Sequence, residues 1–166
     1  MALFGKDKTR ARLAEAGFEV TDVLYQAMPL SATPTVYQDE THRTWAVKMP
    51  GSTPRVFSYA DALASQVVED DGTNDFDASK RGADAFSAFV ANPMRLSRQN
   101  AARRGASCFS LGVVVKVRGE DGALLQLPFI ATRTSKSSEA YRRIRGEAEA
   151  LQAAFEAMAS QGARDR

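Results

Sequence analysis

A regular stripe of apolar residues between positions 137 and 160 is the feature that most constrains how this chain folds. Its members recur at alternating steps of three and four residues: Tyr141, Ile144, Ala148, Leu151, Phe155 and Met158. This spacing predicts one long amphipathic helix, with Ser137 or Ser138 as its N-cap and Gly162 as its stop signal. The stripe is predicted to pack in the core, and a seam for a partner is the alternative.

Short segments of β-type sequence precede this helix and predict a series of strands. A first strand is predicted within residues 18–28, and others follow at 35–38, 43–49, 55–58 and 64–69. In the 43–49 segment Trp45, Val47 and Met49 fall on one face, which is typical of a half-buried strand. A tight helical turn is predicted at 58–63.

The clearest strands lie at 107–118 and 123–131, where apolar residues alternate with other residue types. The alternating apolar residues are Phe109, Leu111, Val113 and Val115 in the first strand, and Leu125, Leu127 and Phe129 in the second. Glycines and acidic residues at 118–122 favour a short loop between them. We therefore predict a hairpin directly before the C-terminal helix.

Composition indicates a single globular domain. Of 166 residues, 44% are hydrophobic and 25% are charged, which suits one ordinary core. The net charge of +2 falls far short of the field expected of a dedicated nucleic-acid binder. Cys108 is the single cysteine, which excludes an intrachain disulfide and a multi-cysteine metal site. No apolar run is long enough for a signal peptide or a membrane span, so we expect a soluble cytoplasmic protein.

The predicted elements divide the chain into an arm, a domain and a tail. Residues 1–17 are predicted to form an N-terminal arm or short helix with little to bury, and residues 18–160 form the domain. Residues 73–106 differ in composition and are interpreted as a partly helical insertion. Residues 161–166 are expected to be a flexible tail.

Residue types that carry catalysis are sparse in this sequence. His42 is the only histidine, and its position in a polar turn predicts an exposed structural role rather than a metal-binding or catalytic one. Cys108 opens a predicted core strand, where a free cysteine is typically buried and inert. The glycine motifs of phosphate-binding loops and of serine hydrolases are absent. We therefore expect no enzyme activity, no catalytic residues and no cofactor.

A group of acidic residues at the end of the predicted 64–69 strand has the oxygen atoms that a hard cation such as Ca²⁺ needs. The group consists of Glu69, Asp70, Asp71, Asp75 and Asp77. Arg81 stands where an EF-hand loop counted from Asp70 needs its closing glutamate. The sequence therefore predicts a solvated acidic turn and no metal site.

Basic residues in the insertion form the one predicted binding surface. They are Arg95, Arg98, Arg103 and Arg104, and two phenylalanines, Phe86 and Phe89, precede them. Arginines beside aromatic rings suit the phosphates of lipids or nucleic acids, and a solvent-facing polar segment is the alternative. Lys116 and Arg118 on the predicted hairpin either extend this patch or face water.

Two stretches around the predicted helical turn carry a resemblance to a known family. They read Val-Phe-Ser-Tyr-Ala-Asp-Ala-Leu at 56–63 and Val-Val-Glu-Asp-Asp-Gly at 67–72. A strand, a Tyr/Asp turn and a strand ending in an acidic-glycine turn resemble the pattern of bacterial pleckstrin-homology-like domains of unknown function. The resemblance covers residues 35–158 and implies an α+β fold. In that fold the C-terminal amphipathic helix closes a bent antiparallel β-barrel or sandwich.

The resemblance and the lack of catalytic motifs together point to a non-catalytic binding or scaffold module. Such a module is expected to recognise a protein partner or an anionic membrane surface. The alternative is a nucleic-acid or phosphate-binding protein that acts through the basic segment 95–104, whose binding would weaken steeply as salt is raised. The sequence leaves the ligand and the oligomeric state open.

Overall fold

A helix and a four-stranded sheet make up the N-terminal part of the fold. The computed structural model describes residues 8–28, 31, 33–71, 106–119 and 123–165. Helix α1 (Lys8–Glu15) comes first. It is followed by an antiparallel sheet with the order β1 (Asp22–Tyr25), β2 (Thr35–Asp39), β3 (Thr44–Lys48) and β4 (Arg55–Ser58). The four predicted strands are confirmed, and the first is shorter than predicted.

A turn of 3-10 helix, Tyr59–Asp61, carries the chain from this first sheet to a second one. The Asp61 carboxylate accepts hydrogen bonds from the backbone N–H and the hydroxyl of Ser58, both at 3.0 Å. The remaining strands are β5 (Ala62–Asp70), β6 (Ser107–Cys108), β7 (Ser110–Val117), β8 (Leu124–Ile130) and β9 (Thr134–Ser135). The second sheet has the order β5-β7-β8, and β6 pairs with β9 separately. The antiparallel pairing of β7 with β8 confirms the predicted hairpin.

The apolar stripe lies on helix α2 (Glu139–Arg164), which packs against the inner faces of both sheets. The Ser138 hydroxyl caps the helix by accepting a hydrogen bond from the backbone N–H of Tyr141 at 3.1 Å. Phe155 meets Trp45 of β3 edge-on, with ring centroids 4.9 Å apart. The predicted core position of the stripe is therefore confirmed.

Helix α2 runs further than the predicted span of 137–160. It continues to Arg164, through most of the segment 161–166 that was expected to be a flexible tail. Gly162 is buried within the helix and is not its stop signal. A Cβ atom on Gly162 would lie 2.5 Å from the backbone nitrogen of Ala60, so this glycine permits close approach of the 3-10 turn. Beyond Gly162, Asp165 forms an ion pair with Arg43.

Helix α1 covers the outer face of the first sheet, a layer that the sequence did not predict. Leu13 is fully buried and Phe18 is 4% exposed, and both pack against Tyr37 and Ala46. Because successive residues of a strand point to opposite faces, Ala46 faces α1 while Trp45 faces the core. Helix α1 is the short helix of the predicted arm or short helix. The expectation of a half-buried β3 strand is wrong, because Ala46 on its outer face is fully buried.

Within the described residues, the two sheets do not close into a barrel. The first sheet ends at β1 and the second at β8, with no ladder of hydrogen bonds between them. Among the described residues, side chains bridge this corner: the rings of Tyr25 and Phe129 lie 4.5 Å apart between centroids. The predicted α+β class, with antiparallel sheets and a C-terminal helix, is confirmed.

Helix α2 also protects the outer edge of β5, the strand at the other end of the second sheet. The Gln152 side-chain oxygen accepts a hydrogen bond from the backbone N–H of Val67 at 2.8 Å. The Gln152 backbone carbonyl accepts another from the Ser65 hydroxyl at 3.2 Å. Because an uncovered strand edge can pair with other chains, these bonds make β5 a poor place for a partner to add.

Two further predictions concern membranes and the insertion. No helix among the described residues is long and apolar enough to cross a bilayer. The predicted insertion 73–106 lies outside the described residues except for Ala106, so its partly helical character stays a prediction.

Candidate functional site

A cleft of about 380 Å³ lies at the corner where the two sheets do not join. We call this cleft the corner groove. Residues 23–26, in and just after β1, line one side of it, and Phe129 of β8 contributes an aromatic surface. Helix α2 contributes Ile144 together with the charged pair Arg143 and Glu147. Three elements from distant parts of the sequence therefore meet at a mainly apolar site.

A few polar groups lie among these apolar walls. Burial raises the pKa of the Tyr25 phenol, although a hydrogen bond with Thr33 opposes this effect. The hydroxyls of Ser31 and Thr33 share a hydrogen bond, and the Ser31 hydroxyl donates another to the Met28 carbonyl at 2.8 Å. An apolar cleft of this size with a few oriented hydroxyls has the usual composition of a ligand site.

Arg143 and Glu147 form an ion pair on α2 beside the groove, with 3.3 Å between nitrogen and oxygen. Their side chains are 54% and 36% exposed, so solvent screens the pair and its contribution to stability is small. A charged group on a ligand can therefore compete for either side chain at little cost to the fold.

A second cleft of about 200 Å³ shares Met28, Ser31 and Thr33 with the corner groove and continues toward β3. We call it the groove extension. Lys48 lines it and donates a hydrogen bond to the Met49 carbonyl at 2.7 Å. Met28 is 59% exposed, a large value for an apolar side chain. Methionine adapts to irregular apolar surfaces, and it is frequent where proteins bind partners.

The acidic residues at the end of β5 belong to an ion-pair network. The Glu69 carboxylate is 7% exposed, and one of its oxygens lies 2.7 Å from the Lys136 ammonium. The other oxygen accepts hydrogen bonds from the Tyr141 hydroxyl, at 2.9 Å, and from Arg145. Burial lowers the pKa of Lys136, but the Glu69 carboxylate outweighs this effect and the pKa is raised. Two cations thus offset the desolvation of one buried carboxylate and join β5 to the start of α2.

The predicted solvated acidic turn is therefore wrong for the residues of this group that the structure describes. Asp70 and Asp71 are each 6% exposed, and the Asp71 carboxylate lies 3.5 Å from the Lys136 ammonium. Asp75 and Asp77 lie outside the described residues. Carboxylates already engaged with cations in this way are poor ligands for a free metal ion.

A second cluster with metal-ligand atoms lies at the turn between β2 and β3. Atoms of Glu19, Asp39 and His42 lie within 4.8 Å of one another. Asp39 is fully buried, and its carboxylate accepts hydrogen bonds from the backbone N–H of Glu19 at 2.8 Å and of His42 at 2.9 Å. Its Oδ2 atom also lies 2.7 Å from Nδ1 of His42, whose side chain is 55% exposed. A cation would have to displace these partners, so the cluster is best explained as a set of hydrogen bonds that fixes the conformation of the turn.

Cys108 occupies the buried position that its sequence context predicts. Its thiol is fully buried and donates a hydrogen bond to the Ser110 carbonyl at 3.3 Å. Burial, reinforced by the charge of Glu69, raises the pKa of the thiol to about 12. At neutral pH the thiolate that nucleophilic chemistry requires is therefore almost absent.

The basic residues predicted to form a binding surface are not tested by the fold. Arg95, Arg98, Arg103 and Arg104 all lie outside the described residues. Of the two residues proposed to extend that surface, Lys116 lies on β7 and is partly buried, whereas Arg118 follows β7 and is exposed. The described residues therefore leave the basic surface a prediction.

Sequence reasoning missed the residues that line the corner groove. Tyr25 belongs to a segment predicted as a strand, Phe129 to a predicted hairpin and Ile144 to a predicted helix. Their meeting depends on which end strands of the two sheets stay unpaired with each other, and no local sequence pattern encodes that. The one available signal is the mixed alternation of residues 18–28, which does not assign β1 a clear outer face.

Comparisons of this chain with family models, with curated proteins and with solved structures give no match. The geometry of the described residues is therefore the ground for a functional proposal, and the corner groove is its strongest feature.

Proposed function

We propose that the protein is a non-catalytic binding module that holds a segment of a partner protein in the corner groove. The observation that carries this proposal is an apolar cleft of about 380 Å³ between β1, β8 and α2, with a second cleft continuing from it. We further propose that the fold is pleckstrin-homology-like and that the protein acts in the cytoplasm. The order of two antiparallel sheets followed by a packed C-terminal helix supports the fold assignment.

The shape of the two clefts favours a protein segment over a single small molecule. They share three residues, so together they form one continuous site with room for more than one side chain. Successive side chains of one peptide can occupy such a site, and burying an apolar side chain contributes about 1.5 to 3 kcal/mol. Met28 lies where the clefts meet and is the most exposed of the large hydrophobic residues that the structure describes.

The chemistry of the nucleophile and base candidates supports a non-catalytic role. Cys108 is buried with a pKa of about 12, which disfavours the thiolate that nucleophilic attack requires. The Tyr25 phenol in the groove has a raised pKa, which disfavours the phenolate form. Neither Cys108 nor Tyr25 is therefore largely in the deprotonated form that base or nucleophilic catalysis requires at neutral pH.

The test is a selection of random peptides displayed on phage against the folded protein, followed by affinity measurement by fluorescence anisotropy. Met28→Glu places a charge in the groove, and Val56→Glu is the matched control on β4, where Val56 is 43% exposed. We expect Met28→Glu to weaken binding at least about tenfold and Val56→Glu to change it less than about twofold. Circular dichroism melting checks that both variants fold. Selected peptides that bind both variants equally would overturn the proposal.

The competing hypothesis places binding on Arg95, Arg98, Arg103 and Arg104. It predicts flotation with anionic liposomes, or binding to nucleic acid, that falls steeply with salt. Changing the four arginines to serine would then abolish binding, and Met28→Glu would not affect it. That pattern, together with a failure to select groove-dependent peptides, would replace the protein-segment hypothesis with an anionic-surface one.

A further inference from the structure

We infer that the partner segment binds as an added β-strand on the outer edge of β1, with an acidic side chain directed to the cations of the groove. This inference rests on the proposed function, because it specifies how the same groove is filled.

The lining of the groove shows that it follows the edge of β1. Val23, Leu24, Tyr25 and Gln26 line the cleft in unbroken succession. Val23 packs with the α1 cluster on the outer face of the sheet, whereas Leu24 and Tyr25 pack against the main core on its inner face. A cleft lined by residues from both faces of the sheet runs along the backbone edge between those faces. A ligand there meets main-chain N–H and C=O groups as well as side chains.

The position of β1 in the sheet makes this edge available. β1 is the end strand of the first sheet and pairs with β2 on its other side. The end strand facing it across the corner, β8, contains Pro128, which has no N–H to donate. The edge of β5 is covered by Gln152 of α2. The fourth end strand, β4, lines neither of the two clefts. Of the four edges, β1 is therefore the one suited to strand addition at the groove.

An irregularity in β1 limits how much of the edge a partner can use. The register with β2 shifts between Val23 and Tyr25, which places a β-bulge at Leu24. Bulges bend an edge strand and discourage long, unspecific pairing, including pairing with a second copy of the chain. A short segment that fits the bend is therefore the expected occupant.

The side chains around the groove define the chemistry of that segment. One side chain of the segment can pack on the apolar and aromatic surface formed by Tyr25, Phe129 and Ile144. The corner groove and its extension are lined by two cations, Arg143 and Lys48, against one carboxylate, Glu147. This charge balance favours an apolar residue with an acidic residue near it in the partner segment.

The experiment uses the peptides selected against the folded full chain and replaces one backbone N–H at a time by N-methylation. In an added strand, every second N–H points to β1. We expect methylation to weaken binding at least about tenfold at alternate positions and only slightly between them. A helical or irregular peptide would show no alternation, which would overturn strand addition while leaving the proposed function intact.

The charge preference is tested by a double-mutant cycle with the same peptides. The acidic residue is replaced by its amide in the peptide, and Arg143→Gln or Lys48→Gln is made in the protein. We expect each single change to weaken binding several-fold. For one of the two cations, we expect the peptide change and the protein change together to weaken binding no more than either change alone. Fully additive effects for both cations would overturn the acidic preference. If no selected peptide depends on Met28, the inference and the proposed function fail together.

Discussion

At the residue scale, Asp39 shows how a buried charge fixes a turn. Its side chain is fully buried, yet two backbone N–H groups and the His42 ring hydrogen-bond to its carboxylate. Burial alone raises the pKa of Asp39. The hydrogen bonds from Glu19 and His42 outweigh burial, so the pKa lies below its ordinary value. The residues after α1 and the β2–β3 turn are thereby joined through one ionised side chain.

Replacing Asp39 by asparagine tests this description through its pH dependence. A folded-state pKa below the unfolded one stabilises the protein above about pH 4, and this stabilisation is lost as pH falls through the lowered folded value. We expect Asp39→Asn to be less stable than the wild type at pH 7 by about 1 to 3 kcal/mol. The difference should shrink below about pH 4 in urea denaturation. A constant difference in unfolding free energy between the wild type and Asp39→Asn from pH 7 to pH 2 would contradict stabilisation by an ionised Asp39.

At the element scale, helix α2 owes its position to a glycine at its far end. Gly162 brings the helix backbone against the 3-10 turn, and a Cβ atom there would meet backbone atoms of Tyr59 and Ala60 at 2.5 to 2.6 Å. Gly146 lies in the same helix, and a Cβ atom there would meet no atom within 4 Å. Substitution of Gly162 therefore tests close packing, whereas substitution of Gly146 tests helix propensity.

Alanine substitutions at these two glycines are expected to have opposite effects on the stability of the protein. Gly146→Ala should stabilise the protein by about 0.5 to 1 kcal/mol, because alanine is the better helix former. Gly162→Ala should destabilise it, because neither backbone can move without displacing α2. Thermal melting of the two variants measures the difference. A stabilised Gly162→Ala would mean that the helix end does not lie against the 3-10 turn.

Elements with a regular pattern were predictable from the sequence, and those defined by tertiary contact were not. The stripe that includes Leu151 and Phe155, and the alternation around Val113, predicted α2 and the β7–β8 hairpin because each pattern repeats several times. Gly162 resembles a stop signal in sequence, and only its neighbour Ala60 shows that it permits close packing. The corner groove was missed because its walls are far apart in the chain.

At the scale of the whole molecule, the first sheet is the middle one of three packed layers among the described residues. Helix α1 covers one face of that sheet, and the other face packs on the core shared with α2 and the second sheet. The sequence of α1 concealed this role, because Leu13 is its only large apolar residue. A single fully buried side chain therefore anchors an otherwise polar helix to the domain.

Leu13→Ala tests whether α1 is a structural layer. Removing a fully buried leucine should cost about 2 to 5 kcal/mol in the free energy of unfolding. Arg12→Ala in the same helix is the matched control, since Arg12 is exposed and should change stability by less than about 0.5 kcal/mol. Chemical denaturation gives both values. Equal stability of the two variants would show α1 to be a dispensable arm.

Helix α2 is held at both ends, by Glu69 near its start and by Ala60 and Arg43 near its end. The wall that it gives to the corner groove is therefore set before any ligand arrives. Pre-organisation of this kind lowers the entropy lost on association, because little ordering remains to be done. Under the proposed function, partner segments would differ in how long they stay bound rather than in how fast they arrive, since related ligands of a preformed surface differ mainly in their dissociation rates.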